Sequence, residues 1–210
     1  MGLKELKELV KNGKAKESEE LVKQLLAGGT NAEEILTSAL IPAMDEVGEL
    51  FQQGEFFVPE LLVAARAMQR ATETIKPKLA ELGVKARGKV VLGTVRGDLH
   101  DIGKNLVKMM IEGAGFEVVD LGIDVTPEKF VQAVKDHQPG LIGMSALLTT
   151  TMMAMKDTVA LLKSEGVRNR VKVMVGGAPL RQDFATEIGA DFYGKDATEA
   201  KNYAKFVYEE

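Results

Sequence analysis

The sequence predicts an α/β protein in two parts. Residues 1–84 should form a four-helix bundle, 85–88 a linker, and 89–210 a five-stranded parallel sheet with its helices. Two observations predict this division. Before residue 84 the apolar residues recur at helical spacing, whereas after Gly88 short β-type runs alternate with helical runs. Such alternation is typical of a parallel sheet whose two faces are covered by helices.

The first part contains signals for four helices. Two short apolar stripes come first, and the glycine pair at 28–29 should end the second helix. Residues 30–33 have the form of a capping box for the third helix, which Gly54 should end. Pro59 suits the first turn of the fourth helix, and Pro77 should kink or shorten it. Four helices joined by short loops indicate a small bundle.

The second part contains five β/α units. The predicted strands are 89–95, 116–121, 140–145, 171–175 and 191–193, and the predicted helices are 104–113, 127–137, 151–165, 180–188 and 198–208. Five strands in about 120 residues fit a flavodoxin-like (Rossmann-like) order, 2-1-3-4-5, better than the six-stranded dinucleotide-binding order.

Composition excludes several kinds of site and partner. The chain has no cysteine, so disulfides, zinc–thiolate sites and iron–sulfur clusters are excluded. The absence of disulfides and of an apolar signal core leads us to expect a cytoplasmic location. No apolar run approaches the ~20 residues that span a bilayer, so we expect no membrane partner. A net charge of −4 with interspersed signs argues against nucleic acid as a partner.

The segment 97–105, Gly-Asp-Leu-His-Asp-Ile-Gly-Lys-Asn, carries the clearest chemical signal. It follows the first predicted strand, at the sheet edge where open α/β proteins bind ligands. His100 is one of only two histidines, and a neutral imidazole is a good metal ligand. Asp98 can fix the tautomer of that imidazole, and Gly103 lets a bulky ligand approach the backbone.

Two further loops should lie beside this segment. In a 2-1-3-4-5 sheet, the loops after the third and fourth strands, 145–151 and 176–179, are neighbours of the loop after the first. Together they would enclose a slot lined by hydroxyl groups and backbone. Such a slot suits an extended ligand that needs hydrogen-bond donors and close approach to the backbone.

Each of these features also has a purely structural interpretation. His100 could be a polar loop residue whose hydrogen bonds are satisfied, and the hydroxyls of 145–151 could cap the next helix. Gly176 and Gly177 could form only a tight turn. Asp98, His100 and Asp101 could bind zinc or iron, although no further ligands are evident in the sequence. We interpret the second histidine, His137, as a surface residue.

Four separated motifs resemble those of the corrinoid carrier proteins of cobalamin-dependent methyltransferase systems, and the cap and cobalamin-binding domains of methionine synthase. Asp98-x-His100-x-x-Gly103 resembles the corrinoid-binding motif. Residues 145–149 resemble the family's Ser-x-Leu-x-Thr loop, and 176–178 its Gly-Gly-Ala loop. Residues 44–59 resemble the helical cap pattern. The resemblance covers essentially the whole chain.

The resemblance implies cobalamin as the cofactor, bound with its benzimidazole base detached and with His100 as the lower ligand of cobalt. Asp98 would hold the imidazole, and Thr151 stands where methionine synthase has the serine of a hydrogen-bonded relay. His100, Asp98 and Thr151 are thus the implied catalytic residues. The implied cofactor contacts are Gly97, Asp98, Leu99, His100, Asp101, Ile102, Gly103, Ser145, Leu147, Thr149, Gly176, Gly177 and Ala178, with Phe51, Phe57 and Met68 of the cap.

The implied function is that of a methyl carrier, the corrinoid component of a multi-protein cobalamin-dependent methyltransferase system. Its partners would be a substrate-specific methyltransferase, an acceptor methyltransferase and a reductive activator. A cobalamin-dependent sensor or regulator is an alternative, although no basic recognition helix appears in this sequence. An adenosylcobalamin mutase subunit is another alternative, but such subunits generally lack this helical cap. The sequence does not indicate the methyl donor.

Overall fold

The computed structural model describes residues 2–209. The chain divides into two compact units. One holds the residues up to Ala86 together with Gly113–Gly115, and the other holds Arg87–Glu112 and the residues from Phe116 onward. The division after Ala86 falls in the segment predicted as a linker, while the domain bounds 1–84 and 89–210 stay a prediction.

The first unit is helical throughout. Its α-helices are α1 (Gly2–Lys11), α2 (Ala15–Ala27), α3 (Ala32–Ile35), α4 (Ile41–Gln53) and α5 (Val58–Glu81). Each presents apolar residues at helical spacing to a common core, in which Leu6, Val22, Ile35, Met44 and Leu61 are fully buried. Packing against this core stabilises the helices, since no single short helix would be stable alone.

The predicted third helix contains an irregular turn. Leu36–Leu40, between α3 and α4, forms a π-helical turn in which the Ile41 N–H donates to the Leu36 carbonyl. Pro42 supplies the physical cause. It has no N–H to donate to the Ser38 carbonyl, and its ring would collide with that carbonyl in a regular α-helix. Widening the preceding turn avoids the collision.

Two helix-end predictions need correction. Asn31, not Thr30, caps α3, because its side-chain oxygen accepts the Glu33 N–H at 2.8 Å. The cap is therefore one position closer to the first helical residue, Ala32, than the predicted capping box assumed. The predicted shortening at Pro77 is also wrong, since α5 continues to Glu81. Proline removes one hydrogen bond, and the burial of side chains along α5 outweighs that loss.

The second unit is the predicted parallel sheet. Its strands are β1 (Lys89–Thr94), β2 (Glu117–Asp120), β3 (Leu141–Ser145), β4 (Lys172–Gly176) and β5 (Phe192–Gly194); its α-helices are α6 (Ile102–Gly113), α7 (Pro127–His137), α8 (Met153–Ser164), α9 (Gln182–Ile188) and α10 (Ala197–Glu209), with a 3₁₀ turn at Arg168–Arg170. The order is β2-β1-β3-β4-β5, and all four pairings are parallel. The five-stranded, flavodoxin-like prediction is therefore confirmed.

Burial on both faces explains why the central strands read as continuous apolar runs. Val90 to Thr94 are all buried in β1, and Leu141 to Met144 are all buried in β3. One core cluster beside the sheet includes Phe130, Ile142 and Met155. An all-parallel sheet requires such cover on each side.

The register aligns the carboxyl ends of the three central strands. Thr94 pairs with Ser145, and Ser145 pairs with Gly176. β1 and β3 are neighbours, but the chain continues from β1 to β2 on one side and from β3 to β4 on the other. A crevice therefore opens between the loop after β1 and the loop after β3. This is the topological switch point at which such folds bind ligands. Among the described residues, no helix combines the length and the apolar character needed to cross a membrane.

Candidate functional site

A buried carboxylate lies at the centre of this crevice. Asp98, in the loop after β1, has no exposed surface. Its Oδ2 accepts the Leu147 N–H at 2.7 Å, the Leu148 N–H at 3.3 Å and the Thr151 hydroxyl at 2.7 Å, all from the loop after β3. Its Oδ1 accepts the His100 N–H at 3.0 Å and lies 2.8 Å from the Nδ1 of the same residue. One side chain thus connects the loops of two neighbouring strands.

These contacts fix the charge of Asp98. Burial alone would raise its pKa, but hydrogen bonds from the Leu147 N–H, the His100 N–H, the Thr151 hydroxyl and the His100 ring outweigh burial and hold the pKa well below its usual range. Asp98 is therefore a carboxylate at neutral pH. A carboxylate can only accept, so the facing Nδ1 of His100 carries the hydrogen.

The remaining ring nitrogen of His100 is available to a ligand. With hydrogen on Nδ1, the lone pair of a neutral imidazole is on Nε2. The side chain is 50% exposed, and no hydrogen bond to Nε2 is found within residues 2–209. The backbone beneath it is held by the Thr94 hydroxyl, which donates to the His100 carbonyl at 3.0 Å. The bond to Asp98 thus orients the imidazole and leaves its second nitrogen for a ligand.

Thr151 completes a hydrogen-bonded chain from His100 through Asp98. Its side chain is buried, and its hydroxyl lies 2.7 Å from Asp98 Oδ2 and 2.9 Å from the Leu148 carbonyl. The hydroxyl has one hydrogen for two acceptors, so it can shift between them. The three residues predicted to act together are therefore in direct contact.

Large apolar side chains lie exposed around His100. Leu99 and Ile102, on the same segment, are 67% and 74% exposed. Leu147 and Leu148, whose amides bind Asp98, are also exposed, as is Met153 at the start of α8. Exposed apolar patches on a protein indicate a binding surface. An apolar surface around one ligating nitrogen suits a flat, largely apolar metal macrocycle.

The glycines of the site have two different roles. A Cβ on Gly103 would meet nothing within 4 Å, which leaves open space beside α6. A Cβ on Gly177 would instead lie 1.9 Å from the Ala146 carbonyl oxygen, and Gly177 has φ +132°. A Cβ on Gly176 would lie 3.0 Å from the Gly194 carbonyl oxygen. The chain's own packing therefore requires glycine at 177, whereas it does not at 103.

The other residues predicted to contact the cofactor differ in how far they are exposed. Asp101 is exposed and accepts the side-chain amide of Asn105 at 3.0 Å. Ser145 ends β3 half-buried, while Thr149 and Ala178 are exposed in their loops. In the helical unit Phe57 is exposed, Phe51 is half-buried and Met68 is buried. The roles of these three as cofactor cover stay a prediction.

One loop of the site, the loop after β2, belongs to none of the predicted motifs. Asp124, after β2, accepts the Gly97 N–H at 2.7 Å and donates its own N–H to the Asp98 carbonyl at 3.1 Å. An aspartate in the turn between a strand and the helix-starting pair Thr126-Pro127 was the available signal. The exposed Leu148 and Met153 were not predicted either, because nothing in their spacing distinguishes them from core residues.

The donor set does not suit a metal held by protein ligands alone. Within the described part of the chain, no three His, Asp or Glu side chains gather closely enough to hold a metal ion. The zinc or iron alternative therefore finds no complete ligand set there. One imidazole fits a metal that brings its other ligands with it, as the cobalt of a corrin does.

Comparison with known proteins identifies the family. Residues 88–201 match the family described as "B12 binding domain", and residues 3–76 match a second family with the same description. The chain belongs to the B12-binding corrinoid proteins. Cobalamin is therefore the cofactor of this corrinoid protein, as the resemblance predicted.

Individual relatives agree with this membership. The corrinoid protein is 44% identical to trimethylamine corrinoid protein 1 of Methanosarcina acetivorans over 190 residues, which is 90% of this chain and 88% of the relative. It is 35% identical to the structure of a cobalamin-binding protein from Desulfitobacterium hafniense, with a TM-score of 0.81 and 98% of each chain covered. It is 30% identical to a chain of the methanol:cobalamin methyltransferase complex of Methanosarcina barkeri, with a TM-score of 0.87, covering 97% of this chain and 78% of that one.

Proposed function

We propose that this corrinoid protein carries a methyl group on cobalamin between a substrate-specific methyltransferase and an acceptor methyltransferase. The observation that carries the proposal is the oriented imidazole of His100, backed by Asp98 and Thr151. Cobalamin, when bound, supplies the cobalt that takes up and gives up the methyl group. The protein supplies a ligand that can bind cobalt and release it during the cycle.

In this proposal cobalamin is bound with its benzimidazole base detached, and Nε2 of His100 is the lower ligand. Asp98 keeps Nδ1 protonated, so that Nε2 is the nitrogen that faces the metal, and its negative charge makes the imidazole a stronger donor. Asp98 would also stabilise a proton on Nε2 whenever His100 does not hold the metal. The Thr151 hydroxyl can turn between Asp98 and the Leu148 carbonyl as that charge balance changes.

The names of relatives suggest the methyl donor and a partner. Identity is 44% to a protein named for trimethylamine and 30% to one from a methanol complex, so we propose a methylated amine as the donor. The second of these was solved as a complex with a methyltransferase, which supports a methyltransferase as a partner here. An acceptor methyltransferase and a reductive activator complete the proposed cycle.

The carrier role can be measured with labelled substrate. The protein is loaded with cobalamin, reduced with titanium(III) citrate, and incubated with a trimethylamine-specific methyltransferase and trideuteromethyl-labelled trimethylamine. We expect about one labelled methyl group per bound cobalamin by mass spectrometry, and much slower labelling of free cobalamin at the same concentration. Dimethylamine and methanol, each with its own methyltransferase, are run in parallel. Loaded protein that takes no label in any of the three reactions would contradict the carrier role and favour a sensor.

We further propose that the nucleotide tail of cobalamin runs past Gly103, where the backbone is uncovered. A graded series, Gly103→Ala, Gly103→Val and Gly103→Leu, should weaken cobalamin binding progressively, by about tenfold or more at Leu, because each side chain occupies volume that the tail needs. Isothermal titration of the cobalamin-free protein measures the affinity.

The cobalamin-free protein supplies the control for this series. Position 103 is in the first turn of α6, where glycine is the poorest ordinary helix former, so all three variants should melt no lower than the native chain. Equal affinity across the series would place the tail elsewhere. Gly176 and Gly177 are unsuitable for the same test, because their substitution disturbs the chain itself.

The helical unit has a proposed role as a cap. In this role Phe51, Phe57 and Met68, or close neighbours, cover the upper face of the cofactor, and the linker 85–88 serves as a hinge. The support is the exposed side chain of Phe57 and the resemblance of residues 44–59 to the family's cap pattern. Excluding water from the upper face would protect a reactive cofactor between transfers.

A further inference from the structure

We infer that Asp124 is a positioning residue for the Asp98–His100 pair, acting through the backbone of the loop after β1. The inference rests on the proposed function, since it assigns a purpose to the orientation of His100. Asp124 belongs to none of the motifs that indicated the site. We single it out because two hydrogen bonds join its loop to the segment 97–105, which carries His100.

The two bonds run in opposite directions and enclose one peptide group. The Gly97 N–H donates to Asp124 Oδ1 at 2.7 Å, and the Asp124 N–H donates to the Asp98 carbonyl at 3.1 Å. A hydrogen bond to a charged acceptor is among the stronger kinds. The backbone on either side of the Gly97–Asp98 peptide is therefore fixed from the β2 side.

We call these two hydrogen bonds the Asp124 clamp. Asp124 adopts an unfavourable backbone conformation to make it. Its φ is +51°, and among the described residues only Gln138 is another non-glycine with positive φ. Gln138 follows the last turn of α7, where a left-handed residue is common. Asp124 follows no helix in this way. A left-handed residue that persists away from a helix C-terminus indicates that its surroundings impose the conformation.

The consequence is that Asp98 is held from both sides. The loop after β3 binds its carboxylate through Leu147 and Thr151. From the β2 side, the Asp124 N–H binds its carbonyl, and the Asp124 side chain binds the N–H of the preceding Gly97. With the carboxylate bound but the Gly97 N–H released, the segment could turn about the carboxylate, and the imidazole of His100 would leave its set direction. Because Asp124 itself is exposed, removing its side chain opens no cavity.

Three variants of the full-length, cobalamin-loaded protein separate the clamp from backbone strain. Asp124→Gly removes the acceptor and relieves the strain, Asp124→Asn keeps an oxygen acceptor, and Gln138→Gly relieves the same strain far from the crevice. The ratio of histidine-bound to histidine-free cobalt is read from paramagnetic resonance of the two-valent form, with ¹⁵N-labelled histidine. We expect this ratio to fall about five- to tenfold in Asp124→Gly and to stay within about twofold of the native ratio in the other two.

A second measurement needs no cofactor. Amide exchange of Gly97 in the cobalamin-free protein should become faster in Asp124→Gly alone, since only that variant lacks the acceptor. Unchanged exchange would show that the clamp does not hold this amide, and an unchanged cobalt ratio would show that it does not position His100; either result overturns the inference. Native protein that shows no histidine nitrogen on cobalt would instead overturn the proposed ligation, and the inference with it.

Discussion

Substitution His100→Gly is expected to remove the protein nitrogen from cobalt completely while leaving the fold intact. The side chain is half exposed, and Asp98 keeps its bonds from Leu147, Leu148 and Thr151, so no buried group loses all its partners. In the native protein with ¹⁵N-labelled histidine, the paramagnetic resonance of two-valent cobalt should show two-line nitrogen splitting. Splitting into three lines in the labelled native protein would mean that the cofactor's own benzimidazole is still bound.

The chain offers a matched control for this substitution. His137 is the only other histidine and lies exposed at the end of α7. His137→Gly should keep the labelled signal unchanged. Free imidazole added to His100→Gly should occupy the vacated space and restore a nitrogen ligand, now with unlabelled splitting. If labelled histidine still splits the signal in His100→Gly, the ligand assignment is wrong.

The architecture of the second unit could be predicted because each signal is local. Strands buried on both faces read as apolar runs, and every predicted strand end lies within one residue of the observed one. The strand order followed from the count of β/α units. Asp98, His100 and Thr151 could be named from their resemblance to known motifs, and the structure brings all three into contact.

What the sequence could not reveal depends on contacts between distant loops. The bond from the Leu148 N–H is made by a backbone group that every residue type carries, so composition and spacing carry no trace of it. Asp124 is visible in the sequence as an aspartate in a turn, but its bond to the distant Gly97 N–H is not. The requirement for glycine at 177 comes from the Ala146 carbonyl of a neighbouring loop, which lies where a Cβ would stand, and spacing along the chain does not reveal it. The π turn before Pro42 has a local cause, but proline near a helix start usually needs no such adjustment.

Asp98→Asn should strongly destabilise the cobalamin-free protein. An amide cannot accept on both sides, so either the Leu147 and Thr151 donors or the two His100 donors would face an NH₂ group. Burying unsatisfied donors and losing charged hydrogen bonds should cost about 3 kcal/mol of unfolding free energy at pH 7. Urea denaturation of the native and variant chains measures the difference. Asp101→Asn, on the same loop but exposed, is the control and should change stability by less than about 0.5 kcal/mol.

The stability difference should also depend on pH, in a direction set by the lowered pKa of Asp98. An unfolded aspartate titrates near pH ~3.9, whereas the folded carboxyl stays ionised to lower pH. Its contribution is therefore complete above about pH 5 and is lost as the pH falls from there toward the folded pKa. Asparagine does not titrate, so the gap between the native chain and Asp98→Asn should narrow as both are taken from pH 6 to pH 3. A gap of constant size over this range would mean that the shape of the side chain matters at this position and its charge does not.

The same variant, loaded with cobalamin, should hold the His100–cobalt bond about 10- to 100-fold more weakly, because its imidazole has lost the carboxylate that orients it.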